Sequence, residues 1–269
     1  MRTAFYISDG TAITSEVFGH ALLSLFPTKL NHVTIPFVET KERAMEVKVE
    51  IDAARSEDEG RAIVFHTFVD NDLRDIIASA DAMEYDFLNY FTTPIERELG
   101  VAAVPKTHRT HSMHEKTYDS RIEAMNYALA NDDGGNMKNM KDADVILVGV
   151  SRSGKTPTSL YLALQYGIKA ANYPFVEEDM DNLKLPPEIK AVKEKVFGLT
   201  ITPQRLSAIR NERRANSRYA STRQCRIELK EVEMLYKKER IPYLDSTHFS
   251  VEEISAKILA ETGLQRHKY

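Results

Sequence analysis

The chain has 269 residues, 42% of them hydrophobic, enough for one large domain or two of ordinary size with a buried core. Thirty-six Lys and Arg against forty Asp and Glu leave a net charge of -4, which gives no global electrostatic footprint for nucleic acid or an anionic membrane, so anion binding must rest on local charge. The single cysteine, Cys225, excludes an intrachain disulfide and a cysteine-based structural zinc site, and a cytoplasmic location is expected. No apolar stretch approaches the roughly 18 residues of a membrane span, and the strand-like start at Ala4 is expected to leave no room for a signal or transit peptide.

The first hundred residues alternate strand and helix signals. Strands are expected at residues 4–7, 32–37 and 62–66, and helices at 11–25, 40–55, around 73–79 and at 87–99. Ala44, Val47, Ile51 and Ala54 stand at helical spacing in the second helix. Such alternation indicates a parallel sheet with helices on both faces. From residue 101 to 116 the pattern lapses into Pro105 and three histidines, which reads as an inter-domain connection. A helix at 118–130 and the polar turn at 131–135 lead to a second sheet. Its strands are expected at 145–148, 168–173, 196–201 and 241–244. One helix carries Leu160, Ala163 and Leu164 and ends near Gly167. Another starts at Thr202 and Pro203, with a capping hydroxyl and a proline at the first helical position. The last opens with Ser250 and Glu253 in capping-box spacing and buries Val251, Ile254 and Ile258.

Between the 145–148 strand and its helix lies Gly149, Val150, Ser151, Arg152, Ser153, Gly154, Lys155 and Thr156, a complete G-x-x-x-x-G-K-[ST] phosphate-binding pattern. In such a loop the two glycines allow a backbone course that converges N–H groups on phosphate oxygens. Lys155 supplies positive charge at the outer phosphate, and the Thr156 hydroxyl is offered to magnesium. The same residues can also form a plain glycine-rich turn entering a helix. The expected architecture is α/β with two parallel-sheet three-layer domains: an N-terminal domain at 1–105, a connecting segment at 106–142, and a P-loop kinase-like domain at 143–269.

Three further constellations surround this loop in the sequence. Residues 204–230 hold eight Lys or Arg against two Glu. There Arg210, Arg213 and Arg214 fall on one helical face and suit a lid over nucleotide phosphates, or else a solvated face. The acidic run at 177–181 follows the second strand of this sheet, at the edge where parallel sheets bind ligands. Asp179 and Asp181 are therefore expected as catalytic carboxylates, with an acidic helix start as the plainer alternative. Ser8, Asp9, Gly10 and Thr11 form either an anion site or a helix cap. His108, His111 and His114 beside Arg109 match no zinc signature and suit a phosphorylated partner better than a metal.

Residues 5–14 (Phe-Tyr-Ile-Ser-Asp-Gly-Thr-Ala-Ile-Thr), 108–111, 149–161, 170–175, 179–183 and 197–201 resemble the family of bacterial phosphoenolpyruvate synthase and pyruvate, phosphate dikinase regulatory proteins, over essentially the whole chain. The resemblance implies a bifunctional regulator. It would use ADP to phosphorylate a threonine of phosphoenolpyruvate synthase, inactivating it, and reverse this with inorganic phosphate, releasing pyrophosphate. It also implies that residues 149–156 bind the nucleotide and that Lys155 is essential. Sequence alone would have suggested ATP as the donor, and a small-molecule kinase of the nucleotide or shikimate kind, or a nucleotide sensor without turnover, suits the same loop. A homodimer is expected because closed two-fold assemblies are the commonest.

Overall fold

Every residue of Thr3–Ile7, the first strand (β1), is buried, because it is sandwiched between two neighbours and covered on both faces. The computed structural model describes residues 1–57, 60–104 and 115–265. Pro105, His108, Arg109, His111 and His114 lie outside the described residues. The chain divides into two units, Met1–Ser112 and Met113–Tyr269.

In the first unit β1 pairs with β2 (Asn31–Ile35) on one side and β3 (Ala62–His66) on the other, and β4 (Ala82–Asp86) closes the edge beyond β3. All four strands are parallel, in the order β2-β1-β3-β4. Side-chain alternation sorts the strands into two faces. Phe5, Ile7 and Val64 pack with Val47 and Ile51 of α2 (Lys41–Glu57) and with Leu73 and Ile77 of α3 (Asn71–Ala78). Ala4, Tyr6 and Phe65 face Leu22 and Leu23 of α1 (Ile13–Leu23) and Phe87 of α4 (Phe87–Leu99). β4 has no counterpart among the expected strands: Ala-Met-Glu-Tyr-Asp lacks the apolar run of a central strand, and at the sheet edge it is largely exposed.

The second unit repeats the arrangement. β5 (Val145–Val150), β6 (Ala170–Phe175), β7 (Val196–Thr200) and β8 (Tyr243–Asp245) form a parallel sheet in the order β6-β5-β7-β8. On one face Ile146, Val148, Val150 and Phe175 meet Leu206 of α7 (Pro203–Arg213) and Leu229, Val232 and Tyr236 of α8 (Thr222–Glu239). On the other, Val145, Leu147, Phe197 and Leu199 meet Leu162 and Tyr166 of α6 (Lys155–Tyr166) and Ile254 and Ile258 of α9 (Val251–Thr262). The helix expected just before this sheet, α5 (Glu115–Ala130), packs Ala124 and Ala128 against Ala163 of α6.

Both capping boxes and breakers act locally. Ser250 Oγ accepts from Glu253 N while Glu253 returns a carboxylate to Ser250 N at 2.8 Å, as expected. Thr202 does stand at the N-cap of α7 ahead of Pro203, but its hydroxyl makes no cap bond; its amide instead donates to Thr247 Oγ1 at 2.8 Å. Among the described residues no helix is long and apolar enough to cross a membrane.

Both sheets therefore have their first strand flanked by the second and third. The connection from the first strand runs outward to the second on one side and that from the third runs outward to the fourth on the other, and the crevice at the carboxyl ends of the first and third strands is where open parallel sheets take ligands. In the second unit these are the ends of β5 and β7.

Candidate functional site

Burial fixes β5 from all sides, and its last residues are held without room to spare. A Cβ on Gly149 would stand 2.5 Å from Leu199 O and 2.8 Å from Ser153 Oγ. The first of these is backbone of a neighbouring strand and cannot swing aside. Behind it the buried Tyr236 Oη lies 2.9 Å from Val148 O and 3.2 Å from Leu199 O, bridging β5 and β7. Gly149→Ala is accordingly expected to destabilise the chain by roughly 1–3 kcal/mol, read as a lower denaturation midpoint at unchanged slope.

The loop at 151–154 then reverses the chain into α6. Arg152 at φ 75° and Gly154 at φ 94° both take left-handed backbone conformations, and glycine does so without steric penalty. Ser246 Oγ donates to Ser153 O or Thr200 O, 3.1 and 3.0 Å away. The Ser153 hydroxyl is itself buried with no protein partner among the described residues. Of the loop amides, Ser153 N reaches Val150 O at 3.3 Å, whereas those of Arg152, Gly154, Lys155 and Thr156 have no protein acceptor among the described residues. A turn that leaves four amides and one buried hydroxyl available at a helix N-terminus offers its donors to an anion.

Lys155 opens α6 and is buried. Its Nζ donates to Val150 O at 3.0 Å. Burial lowers its pKa from the ordinary 10.5 to about 8; the carboxylates of Asp133 and Asp132 oppose this, and the cations of Arg210 and Arg152 add to it. At neutral pH the ammonium is charged, yet poorly solvated, which favours an anionic partner. At the next residue, Thr156 Oγ1 donates to Asp132 Oδ1 at 2.8 Å. Asp132 and Asp133 belong to the turn that the sequence offered only as a polar connection.

The expected arginine row is not a lid. Arg210 is fully buried behind the loop: Nη2 donates to Ser151 O at 3.1 Å and pairs with Glu228 at 2.7 Å, and the guanidinium lies 4.0 Å from the Tyr219 ring centre. Tyr219 Oη in turn donates to Ser151 Oγ at 3.0 Å. Arg213 is exposed at the end of α7, and Arg214 has left the helix at φ -146°. The spacing put three arginines on one face, but only Arg210 meets a buried carboxylate that can compensate it.

A profile of the kinase/pyrophosphorylase family matches residues 4–259. The chain belongs to that family. Proteins from Pseudoalteromonas translucida and Pseudoalteromonas atlantica, each 66% identical, and one from Colwellia psychrerythraea, 65% identical, are similar over 100% of both chains; all three are provisionally named phosphoenolpyruvate synthase regulatory proteins. Family membership spans both units, so the first unit belongs to the shared architecture as much as the glycine loop does.

Within that family frame, the remaining expected residues divide clearly. Asp179 closes its own 3-10 turn, Glu177–Asn182, by accepting from Val176 N at 3.1 Å. Asp181 lies in the same turn; its side chain is outside the described residues. Asp179 is not among the groups acting on Lys155, whose carboxylate neighbours among the described side chains are Asp133 and Asp132. Ser8 and Asp9 sit at the carboxyl end of β1, the counterpart of the loop after β5, but spend their polar atoms internally. Thr67 Oγ1 donates to Ser8 Oγ at 3.0 Å, and Asp9 Oδ2 accepts from Val69 N at 2.8 Å and Asp70 N at 3.2 Å. The helix that follows starts at Ile13 with Ala12 at its N-cap and no side-chain cap, so Thr11 does not cap it. The residues that sequence reasoning missed are Asp132, Asp133 and Asn172. The Asp-Asp-Gly-Gly run was visible, but only tertiary pairing brings it to Thr156.

Proposed function

We propose that this chain transfers the β-phosphoryl group of ADP to a threonine of phosphoenolpyruvate synthase, leaving AMP, and removes it with inorganic phosphate as pyrophosphate. The observation that carries the proposal is the G-x-x-x-x-G-K-T loop at the carboxyl end of β5, with free amides, an orphaned Ser153 hydroxyl and a buried, charged Lys155. This donor set fits a nucleotide's phosphates and reads as a P-loop. The family description and the relatives' names support the choice of reaction and target.

In the forward direction a threonine oxygen forms a bond to phosphorus as the bond to the AMP oxygen breaks, and the hydroxyl proton passes to a base. In the reverse direction a phosphate oxygen forms a bond to phosphorus as the bond to the threonine oxygen breaks, and the threonine oxygen takes up a proton to restore its hydroxyl. Both pass through a phosphoryl group whose charge is spread over its oxygens, so positioning and electrostatics carry most of the catalysis. Lys155 and the amides of Arg152, Gly154, Lys155 and Thr156 hold that charge, and Arg210 keeps the loop in shape from behind. Magnesium, bound through Thr156, would neutralise further phosphate charge.

Incubating the pure protein with phosphohistidine-bearing synthase and ADP should label a threonine and yield AMP, and adding phosphate should then release pyrophosphate. Labelling from ATP but not ADP, or phosphorylation of a free metabolite with no synthase present, would overturn the proposal.

A further inference from the structure

One oxygen of the Asp132 carboxylate receives two donors, Thr156 Oγ1 at 2.8 Å and Asn172 Nδ2, while Oδ2 takes no protein donor among the described residues. The carboxylate is aimed from β6, not from the loop. Asn172 is fully buried there and grips the acidic turn at three points. Its main-chain N–H donates to Asn131 O at 3.2 Å, its side-chain oxygen accepts from Asp133 N at 2.9 Å, and Nδ2 binds the carboxylate. Gly134, at φ 73°, brings the turn so near the strand that a Cβ would lie 3.0 Å from the Tyr173 ring.

A threonine hydroxyl carries one proton and two lone pairs. A cation takes a lone pair, so the proton must be held elsewhere; a hydroxyl free to rotate would spend part of its time presenting that proton to the cation. By accepting the proton, Asp132 turns the lone pairs of Thr156 Oγ1 away from itself and makes the oxygen a better ligand. Its own negative charge, one hydrogen bond removed, adds attraction. Carboxylates set behind metal ligands act in this way.

We propose that Asp132 is a positioning residue for a divalent cation, orienting the Thr156 hydroxyl so that magnesium and nucleotide phosphates bind together at the start of α6. The inference rests on the nucleotide reading above and adds to it a residue outside the loop.

The test is ADP affinity by calorimetry, with magnesium chloride and separately with EDTA, for the full chain. Asp132→Ala should weaken ADP binding in magnesium about tenfold or more, while affinity in EDTA stays within about twofold. Asp132→Asn, which keeps an acceptor oxygen, should recover part of the loss. In a Thr156→Val background, Asp132→Ala should change the magnesium effect no further, because its route is gone. Should Asp132→Ala not fold, Asp132→Asn carries the same comparison. Equal loss with and without magnesium, no loss in magnesium, or an additive effect with Thr156→Val would overturn the inference. Absence of any ADP binding by the unsubstituted protein would instead overturn the nucleotide reading itself.

Discussion

Lys155→Met is expected to abolish the proposed phosphorylation and its phosphate-dependent reversal together, each falling by about a hundredfold or more, because on that proposal both place phosphoryl charge at one ammonium. A single assay pair checks this: AMP formation from ADP, and pyrophosphate formation from phosphorylated synthase. Survival of the reverse reaction alone would require a second active site. The same substitution has a measurable opposite effect on stability. Burial holds the folded pKa of Lys155 at about 8, below the ordinary 10.5. Below pH 8 the amine is protonated in both states, and the folded chain bears the full burden of a desolvated charge. Between about pH 8 and 10.5 the unfolded chain binds more protons, so stability of the parent rises with pH across that window. Removing the charge should therefore stabilise the chain at pH 7, by on the order of 1–3 kcal/mol after loss of the hydrogen bond to Val150. The gain should shrink as the pH approaches 10.5. Denaturant titrations at pH 7 and pH 10 read both limbs, and a substitution that destabilises at pH 7 would show that the ammonium is better paired than its burial indicates. An ammonium that is buried at a cost to folding and lies beside free amide donors is suited to binding an anion.

What sequence reading captured, and what it missed, follows from the range of each interaction. Local patterns were legible: the apolar run of β5, the glycine loop, the Gly167 stop of α6 and the Ser250–Glu253 box all act within a few residues. β4 escaped because at the sheet edge it is largely exposed and carries no apolar run. α8 escaped as an element because its charge dominated the reading of residues 204–230; its buried stripe of Cys225, Leu229, Val232 and Tyr236 has helical spacing all the same. The shared strand order of the two sheets leaves no trace as a sequence repeat, since topology constrains apolar pattern and not residue identity. At the site, the loop itself was readable, and its acidic partner was not. Asp179 had the position after a strand that a catalytic carboxylate needs, yet hydrogen-bonds within its own turn. Asp132 reaches Thr156 across 24 residues of chain, through a bond that only the packing of α5 and β6 against α6 can form.

Glu228→Gln should be among the most destabilising single substitutions in the second unit. Arg210 has no exposed surface, and the Glu228 side chain is only 3% exposed, so the pair is cut off from water. With an amide in place of the Glu228 carboxylate, the guanidinium keeps only uncharged acceptors, the amide oxygen, Ser151 O, Tyr219 O and Cys225 Sγ at 3.9 Å, together with the Tyr219 ring. Breaking one side of a buried pair in this way costs about 3–5 kcal/mol, a large part of the 5–15 kcal/mol that holds an ordinary domain folded. Arg210→Met should cost a similar amount, because it strands the carboxylate with a single amide donor from Gln224 at 3.1 Å. The double substitution Arg210→Met with Glu228→Met should be less damaging than either alone, since two apolar side chains need no compensation. Urea titrations of the parent, Arg210→Met, Glu228→Met and the double variant give the coupling directly, and simple additivity would mean that the pair is screened by water after all. The double variant also separates stability from function. It should fold, but the Ser151 carbonyl would lose its guanidinium donor and Ser151 would keep its hydroxyl bond from Tyr219. ADP affinity should fall although no nucleotide-contacting group has been altered. Unchanged affinity would reduce Arg210 to a packing element and leave the glycines and Lys155 sufficient to shape the loop.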